Sequence, residues 1–136
     1  GWEDYTYNQG SCIGAAVMLF KETGDSSYLA DAILAADYTK NVMSKGGLLP
    51  AEGDWNEQGV LKAIFAHYMF VLINEGGQKQ YLPWIQQNAT AAWRNRDKKR
   101  NLMYRNYGVP CPTGRIQSYE ASSGVALLQL CPPVKR

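Results

Sequence analysis

Trp2, Tyr5 and Tyr7 fall within nine residues, Trp2-Glu3-Asp4-Tyr5-Thr6-Tyr7-Asn8-Gln9-Gly10, that also carry two carboxylates and two amides. Aromatic faces stack on pyranose rings, and amides and carboxylates bond the ring hydroxyls. Residues of these types, this close together, suit the recognition of a sugar. Taken alone, the stretch favours an ordinary helix N-terminus with aromatics packed beside it. Recurrence favours the sugar reading: aromatic and polar residues gather again in 48–58 and 102–118, each ahead of another apolar segment.

Other chemistry is thinly represented. Glu52, Asp54 and Glu57 share one loop, and Glu3 and Asp4 another. Acids ahead of a helix are ordinarily solvated or placed near the positive end of its dipole, and these are expected to do the same. His67 is the sole histidine, which excludes a multi-histidine metal site, and it is expected among packed or partly solvated core residues. Cys12, Cys111 and Cys131 have no metal-ligand spacing; Cys111 and Cys131 are free to pair, but thiols are the default. No metal or cofactor is expected.

The net charge is +2, and basic residues are scattered among acids, which argues against a nucleic-acid partner. Lys98-Lys99-Arg100 reads as a solvated loop. No run approaches the ~20 apolar residues that span a bilayer, so no membrane is expected. Asn88-Ala89-Thr90 is a formal glycosylation sequon inside a helical pattern and reads as chance. The chain starts abruptly before a polar motif without a signal peptide's regions, and an upstream segment is expected to have been removed.

The elements that must position these residues are helices. At 136 residues and 46% hydrophobic, the chain suits one globular domain or part of a larger one. Helices are predicted over about 8–22, 26–44, 56–74, 79–96 and 119–130. Gly24, Gly46-Gly47, Gly76-Gly77 and Cys131-Pro132-Pro133 close four of them. The first, third and fifth are apolar nearly all round and must be surrounded by protein. The second and fourth are amphipathic, with Leu29, Ala32, Ile33, Ala36 and Met43 on one stripe and Leu82, Ile85, Ala89, Ala92 and Trp93 on the other. Pro83 is tolerable only in a first helical turn.

A weak repeat supports this alternation. Gly24-x3-Tyr28-Leu29 is echoed by Gly77-x3-Tyr81-Leu82, and Asn8-Gln9-Gly10 by Glu57-Gln58-Gly59. Two-helix units of this kind build solenoids or closed rings with inner and outer helices. Neighbouring helices joined by short turns run antiparallel, so the segments leading into helices one, three and five must gather at one end. They carry Trp2, Tyr5, Tyr7, Trp55, Tyr104, Tyr107 and Tyr119, whereas the opposite turns, 23–27 and 75–80, have no aromatic. That asymmetry predicts a binding mouth.

Several of these segments resemble glycoside hydrolase family 76. They are Tyr5-Thr6-Tyr7-Asn8-Gln9-Gly10, Gly14-Ala15-Ala16, Thr23-Gly24-Asp25-x-x-Tyr28-Leu29 and Gln58-Gly59-Val60-Leu61-Lys62-Ala63-Ile64-Phe65, followed by Asn88-Ala89-x-x-Ala92-Trp93-x-Asn95-Arg96-Asp97 and Ser122-Ser123-Gly124-Val125-Ala126-Leu127-Leu128. The likeness covers nearly the whole chain, in order, and matches the family's C-terminal half. It implies an all-α fold of alternating inner and outer helices, part of an (α/α)6 toroid, in which residues 1–136 form a single helical piece. It also implies endo-α-1,6-mannanase chemistry on α-mannan and a secreted, periplasmic or cell-surface location. Tyr7, Asn8, Gln9, Trp55, Gln58 and Lys62 are the expected glycan-subsite residues. His67 stands where the family often has arginine, and 98–115 departs from its usual glycine- and tryptophan-containing segment.

The family's catalytic pair is two adjacent aspartates, and no Asp-Asp occurs here. A retaining glycosidase needs an acid/base carboxyl and a nucleophile at close separation, so no catalytic residue is expected in this chain. Three all-round apolar helices cannot all be covered by two amphipathic ones. Each exposed Val, Leu or Phe forfeits roughly 1.5–3 kcal/mol, which predicts either a missing N-terminal half or self-association over an open apolar edge. A non-catalytic helical-repeat module that binds glycan or protein stays open beside the hydrolase reading. A small enzyme using Glu52, Asp54 or Glu57 ranks below both.

Overall fold

A computed structural model describes residues 4–53, 55 and 57–131. Five α-helices carry it: α1 (Thr6–Thr23), α2 (Ser26–Tyr38), α3 (Leu61–Asn74), α4 (Leu82–Arg94) and α5 (Ser118–Leu130), with no strand among the described residues. α3 lies between α1 and α5, while α2 packs on α1 and α4 on α5. Three helices thus form an inner row and two back it from outside, as the alternation predicts.

Local chemistry sets the ends. Gly24 caps α1 in the left-handed region (φ 71°), its N–H donating to the Phe20 carbonyl. Asp25 then caps α2 by accepting from the Ser27 N–H at 2.9 Å. The second helix continues through one wide π turn, Thr39–Met43, where the Thr39 hydroxyl donates to the Ala35 carbonyl. α3 and α4 are each entered through a short 3-10 turn, Gln58–Val60 and Lys79–Tyr81. Pro83 falls in the first turn of α4, where its missing N–H costs nothing. Asn56, expected to open the third helix, lies outside the described residues.

The core joins Ile13 and Val17 of α1, Phe65, Met69 and Leu72 of α3, Trp84 and Ile85 of α4, and Leu127 of α5. Two glycines let the inner row close up. A Cβ on Gly10 would stand 2.8 Å from the Phe65 Cα, and one on Gly59 2.9 Å from the Glu120 Cα. Only hydrogen fits at either contact.

Two packing expectations are corrected. Trp93 is 45% exposed beneath the Arg96 guanidinium, 3.7 Å from its ring, while Trp84 takes the core position. His67 is exposed, its ring edge against Tyr68, because it lies on the face of α3 turned from the outer layer. As the count of apolar faces implies, α1, α3 and α5 are not covered all round: Met18, Leu19, Ile64 and Val125 stand in solvent. Asn88 of the sequon is wholly buried, and all three cysteines are free thiols.

Candidate functional site

The leading ends of α1, α3 and α5 meet. The Thr6 N–H and hydroxyl both donate to Glu52 Oε1 at 2.7 Å. Gln58 Nε2 donates to the Tyr5 hydroxyl at 2.9 Å. Arg105, from the long connection after α4, donates through Nη1 to the Glu52 carbonyl and through Nε to Glu120 Oε1, the latter at 3.0 Å. The other Glu120 oxygen accepts from the Gln117 N–H at 2.8 Å, within a capping box that starts α5. A cleft of about 450 Å³ opens at this end, lined by Asp4, Tyr5, Pro50, Glu52, Gly53 and Gln58.

The expected aromatic mouth takes shape here. Tyr7 is half-buried, its ring stacked on Tyr5 with centroids 6.2 Å apart. Asn8 is exposed and Gln9 half-buried on the same first turns of α1. Trp55 is 71% exposed just before the turn into α3, and Tyr119 is 48% exposed on the first turn of α5. Trp2 and Asp54 lie outside the described residues. Tyr107 does not belong to the mouth: it is buried, and its hydroxyl donates to Ser123 Oγ at 2.9 Å. Burial pushes that phenol well above the ordinary tyrosine range.

Lys62 is placed differently from its expected role as a sugar contact. It is wholly buried. Its ammonium donates to the Ala51 carbonyl at 3.1 Å, stands 3.9 Å from Glu52 Oε2, and lies 5.2 Å from the Tyr107 ring centre. A cation inside an apolar helix needs a buried counter-charge, and Glu52 supplies it. Desolvation pulls the Lys62 ammonium down to about 8, against the upward pull of Glu52 and with a further downward push from Arg105.

Glu52 is correspondingly not the solvated loop acid expected from the sequence. Its side chain is 1% exposed. Burial raises its carboxyl above the usual range, outweighing Lys62 and the two Thr6 bonds. Oε2 is buried with no hydrogen-bond donor, and the backbone sits at φ 57°, which non-glycine residues seldom adopt. The isolated Lys62 in Val60–Phe65 was the available signal; nothing in Ala51-Glu52-Gly53 identifies its partner.

Three acids at this end are engaged by the protein, Glu52 by Thr6 and Lys62, Glu120 by Arg105 and Gln117, and Asp4 by the Tyr38 hydroxyl at 2.6 Å, while Glu57 is exposed. The described residues hold no metal-binding group of histidine, cysteine and acids. The surface presents ring faces and amides, suited to stacking and hydroxyl recognition.

Comparison with known proteins agrees with this geometry. The model of glycosyl hydrolase family 76 matches residues 1–126. The GH76A alpha-1,6-mannanase from Salegentibacter sp. HEL1_6 superposes with a TM-score of 0.84 at 30% identity, over 94% of this chain and 39% of that one. Two inactive variants of that enzyme, with consecutive aspartates replaced by asparagine or by alanine, match equally; they hold alpha-1,6-mannotriose and alpha-1,6-mannotetrose respectively. The chain therefore spans about two-fifths of the length of the solved structures it matches. No curated protein matches it.

Proposed function

Because the chain belongs to glycosyl hydrolase family 76, we propose that it forms the substrate-holding side of an endo-α-1,6-mannanase-like hydrolase acting on α-mannan. In this reading it supplies glycan subsites, and the Asp-Asp pair is carried by another part of the whole protein. The carrying observation is the one-ended gathering of Tyr7, Trp55, Gln58 and Tyr119 at the leading ends of the inner helices. Tyr7, Asn8, Gln9, Trp55 and Gln58 contact glycan; Lys62 supports them from beneath.

A polymeric mannan fits a secreted, periplasmic or cell-surface protein. No described helix is long and apolar enough to cross a membrane. The exposed Met18, Leu19, Ile64 and Val125 favour a covering surface, from the rest of the toroid or a second copy.

Calorimetric titration with α-1,6-mannotriose tests the reading. Saturable binding, weakened by Trp55→Ala and absent with an α-glucan trisaccharide, is expected, with no release of sugar from α-1,6-mannan by this chain alone. Binding indifferent to Trp55, or turnover by the isolated chain, would overturn it.

A further inference from the structure

We infer that Lys62 is a positioning residue: through Glu52 it holds residues 50–53, and with them Trp55 and Gln58, against the leading ends of α1 and α5. The inference rests on the mouth being a glycan-binding face and identifies what sets the shape of that face.

Glu52 touches all three leading segments. Its carboxylate takes both donors of Thr6 at the start of α1, its second oxygen faces Lys62 on the first turn of α3, and its carbonyl takes Arg105, which is tied to Glu120 on α5. Glycine would occupy φ 57° without strain, and glutamate does not. Strained backbone persists where surrounding contacts over-determine it, and such positions cluster at functional sites. Here the over-determining contacts are the side chain's own.

The restraint passes directly to the ligand-facing residues. Gly53 follows Glu52 and leaves space that the Gln58 amide fills; a Cβ there would stand 1.6 Å from Gln58 Oε1. Two residues on, the Trp55 carbonyl accepts from the Gln58 N–H at 3.2 Å, closing the turn. Ala51, on the other side, is held by Lys62 itself. With Lys62 uncharged, Glu52 Oε2 is a buried anionic oxygen that has no donor and has lost the ammonium facing it. The economical escape is rotation of the carboxylate into water, which releases 51–53 and loosens the turn carrying Trp55.

Charge supplies a second handle. The groups facing Lys62 are Glu52, Arg105 and the Tyr107 phenol, while Glu120 faces Arg105. Near pH 8 Lys62 loses its proton, whereas the Tyr107 phenol, raised by burial, stays neutral. The tie therefore slackens as pH rises through about 8.

Peptide-resolved hydrogen exchange and α-1,6-mannotriose titration decide the matter, using the 136-residue chain, Lys62→Met, Glu52→Gln and the double variant. Exchange corrected for intrinsic rates should quicken about tenfold or more in Lys62→Met. The change should be confined to 50–58 and Thr6, with α2 and α4 unchanged. Either single substitution should weaken mannotriose about tenfold, and the double variant no further, because both remove one interaction. Protection of 50–58 should fall across pH 8 in the parent and stay flat in Lys62→Met. Additive losses, faster exchange spread over every helix, or unchanged exchange in 50–58 would overturn the inference. Absence of mannotriose binding by the parent would sink the glycan reading alone, since loop exchange still judges the tie. If Lys62→Met does not fold, Glu52→Gln, which keeps the acceptor for Thr6, decides by the same two readouts.

Discussion

Two buried polar side chains grip the connection between α2 and α3, at points three residues apart, by contrasting means. Asn88 is neutral and fully satisfied: Oδ1 accepts from the Leu49 N–H at 2.8 Å, and Nδ2 donates to the Gly47 and Trp84 carbonyls at 3.0 Å each. Glu52, three residues beyond Leu49, is a carboxyl with a left-handed backbone, an unbonded buried oxygen and a lysine 3.9 Å away. The first anchor leaves nothing to gain by moving. The second holds a poised arrangement of charge and strain at the end that faces ligand. A fold that is consistent at one anchor and costly at the next marks where stability gives way to function.

The sharpest way to break the comparison is Asn88→Ala. It leaves the Leu49 N–H buried without a partner, at about 1–3 kcal/mol, and removes one bond each from the Gly47 carbonyl, which keeps the Trp84 indole, and the Trp84 carbonyl, which stays in the α4 ladder. Urea denaturation should show a global loss of roughly 3 kcal/mol with unchanged slope. The molecules that remain folded should bind mannotriose as before. A variant that instead lost binding at full stability would put Asn88 on the functional side.

Next in size is Gly59→Ala. The new methyl would lie 2.9 Å from the Glu120 Cα and 3.0 Å from its N, both backbone atoms that cannot rotate away. α5 must shift from α3, at a cost of about 1–3 kcal/mol. Because Glu120 also anchors Arg105, the shift should reach Glu52 through the Arg105 bridge. Both stability and mannotriose affinity are expected to fall. Gly114→Ala, where a Cβ meets open space, serves as the silent control.

The split between these anchors also explains what the sequence could disclose. Helix number and order were legible because glycines end the helices: Gly24, Gly46, Gly47 and Gly77 all take positive φ. The mouth followed from antiparallel succession, which requires no knowledge of any contact. Side-chain partners were not legible. Lys62 and Glu52 are ten residues apart across a non-helical segment, so no periodicity links them, and a solvent-facing loop acid and a buried counter-ion share the same letters. Trp93 and Trp84 were likewise exchanged. Both border the apolar stripe of α4, and it is the Trp84 indole that finds an acceptor within the fold, the Gly47 carbonyl at 2.8 Å.

The pH dependence separates the anchors more gently. Asn88 has no proton to exchange. Lys62 titrates near 8 in the fold against its ordinary 10.5, so the unfolded chain binds more protons between those values. Stability from this group is therefore complete above about 10.5 and lost as pH falls through about 8. Glu52 has the opposite sign: its carboxyl is raised from 4.5, so its contribution is complete below that value and lost as pH rises through the folded pKa. Relative to Lys62→Met, the parent should gain global stability from pH 8 to 10.5 while its 50–58 segment loses protection. Those opposed trends, read by urea midpoint and by hydrogen exchange, are the signature of an anchor that is charged at a cost to the fold. Parallel trends would make Lys62 an ordinary buried cation.

The smallest expected change in stability belongs to the residue with the largest expected role in binding. Trp55 is 71% exposed, and its ring has no stacking partner described within the protein. Trp55→Ala should thus alter the unfolding free energy by less than about 0.5 kcal/mol. A ring held in water is a liability unless something covers it, and a pyranose face is of matching size and polarity. Loss of that platform should weaken mannotriose by about tenfold, on the order of 1.4 kcal/mol. Trp55→Phe keeps a smaller face and should fall between the two. If Trp55→Ala instead lowered the urea midpoint as far as Asn88→Ala does, the ring would be packing against the protein in solution. The ligand-facing end of the connection would then be built on the same terms as its buried end.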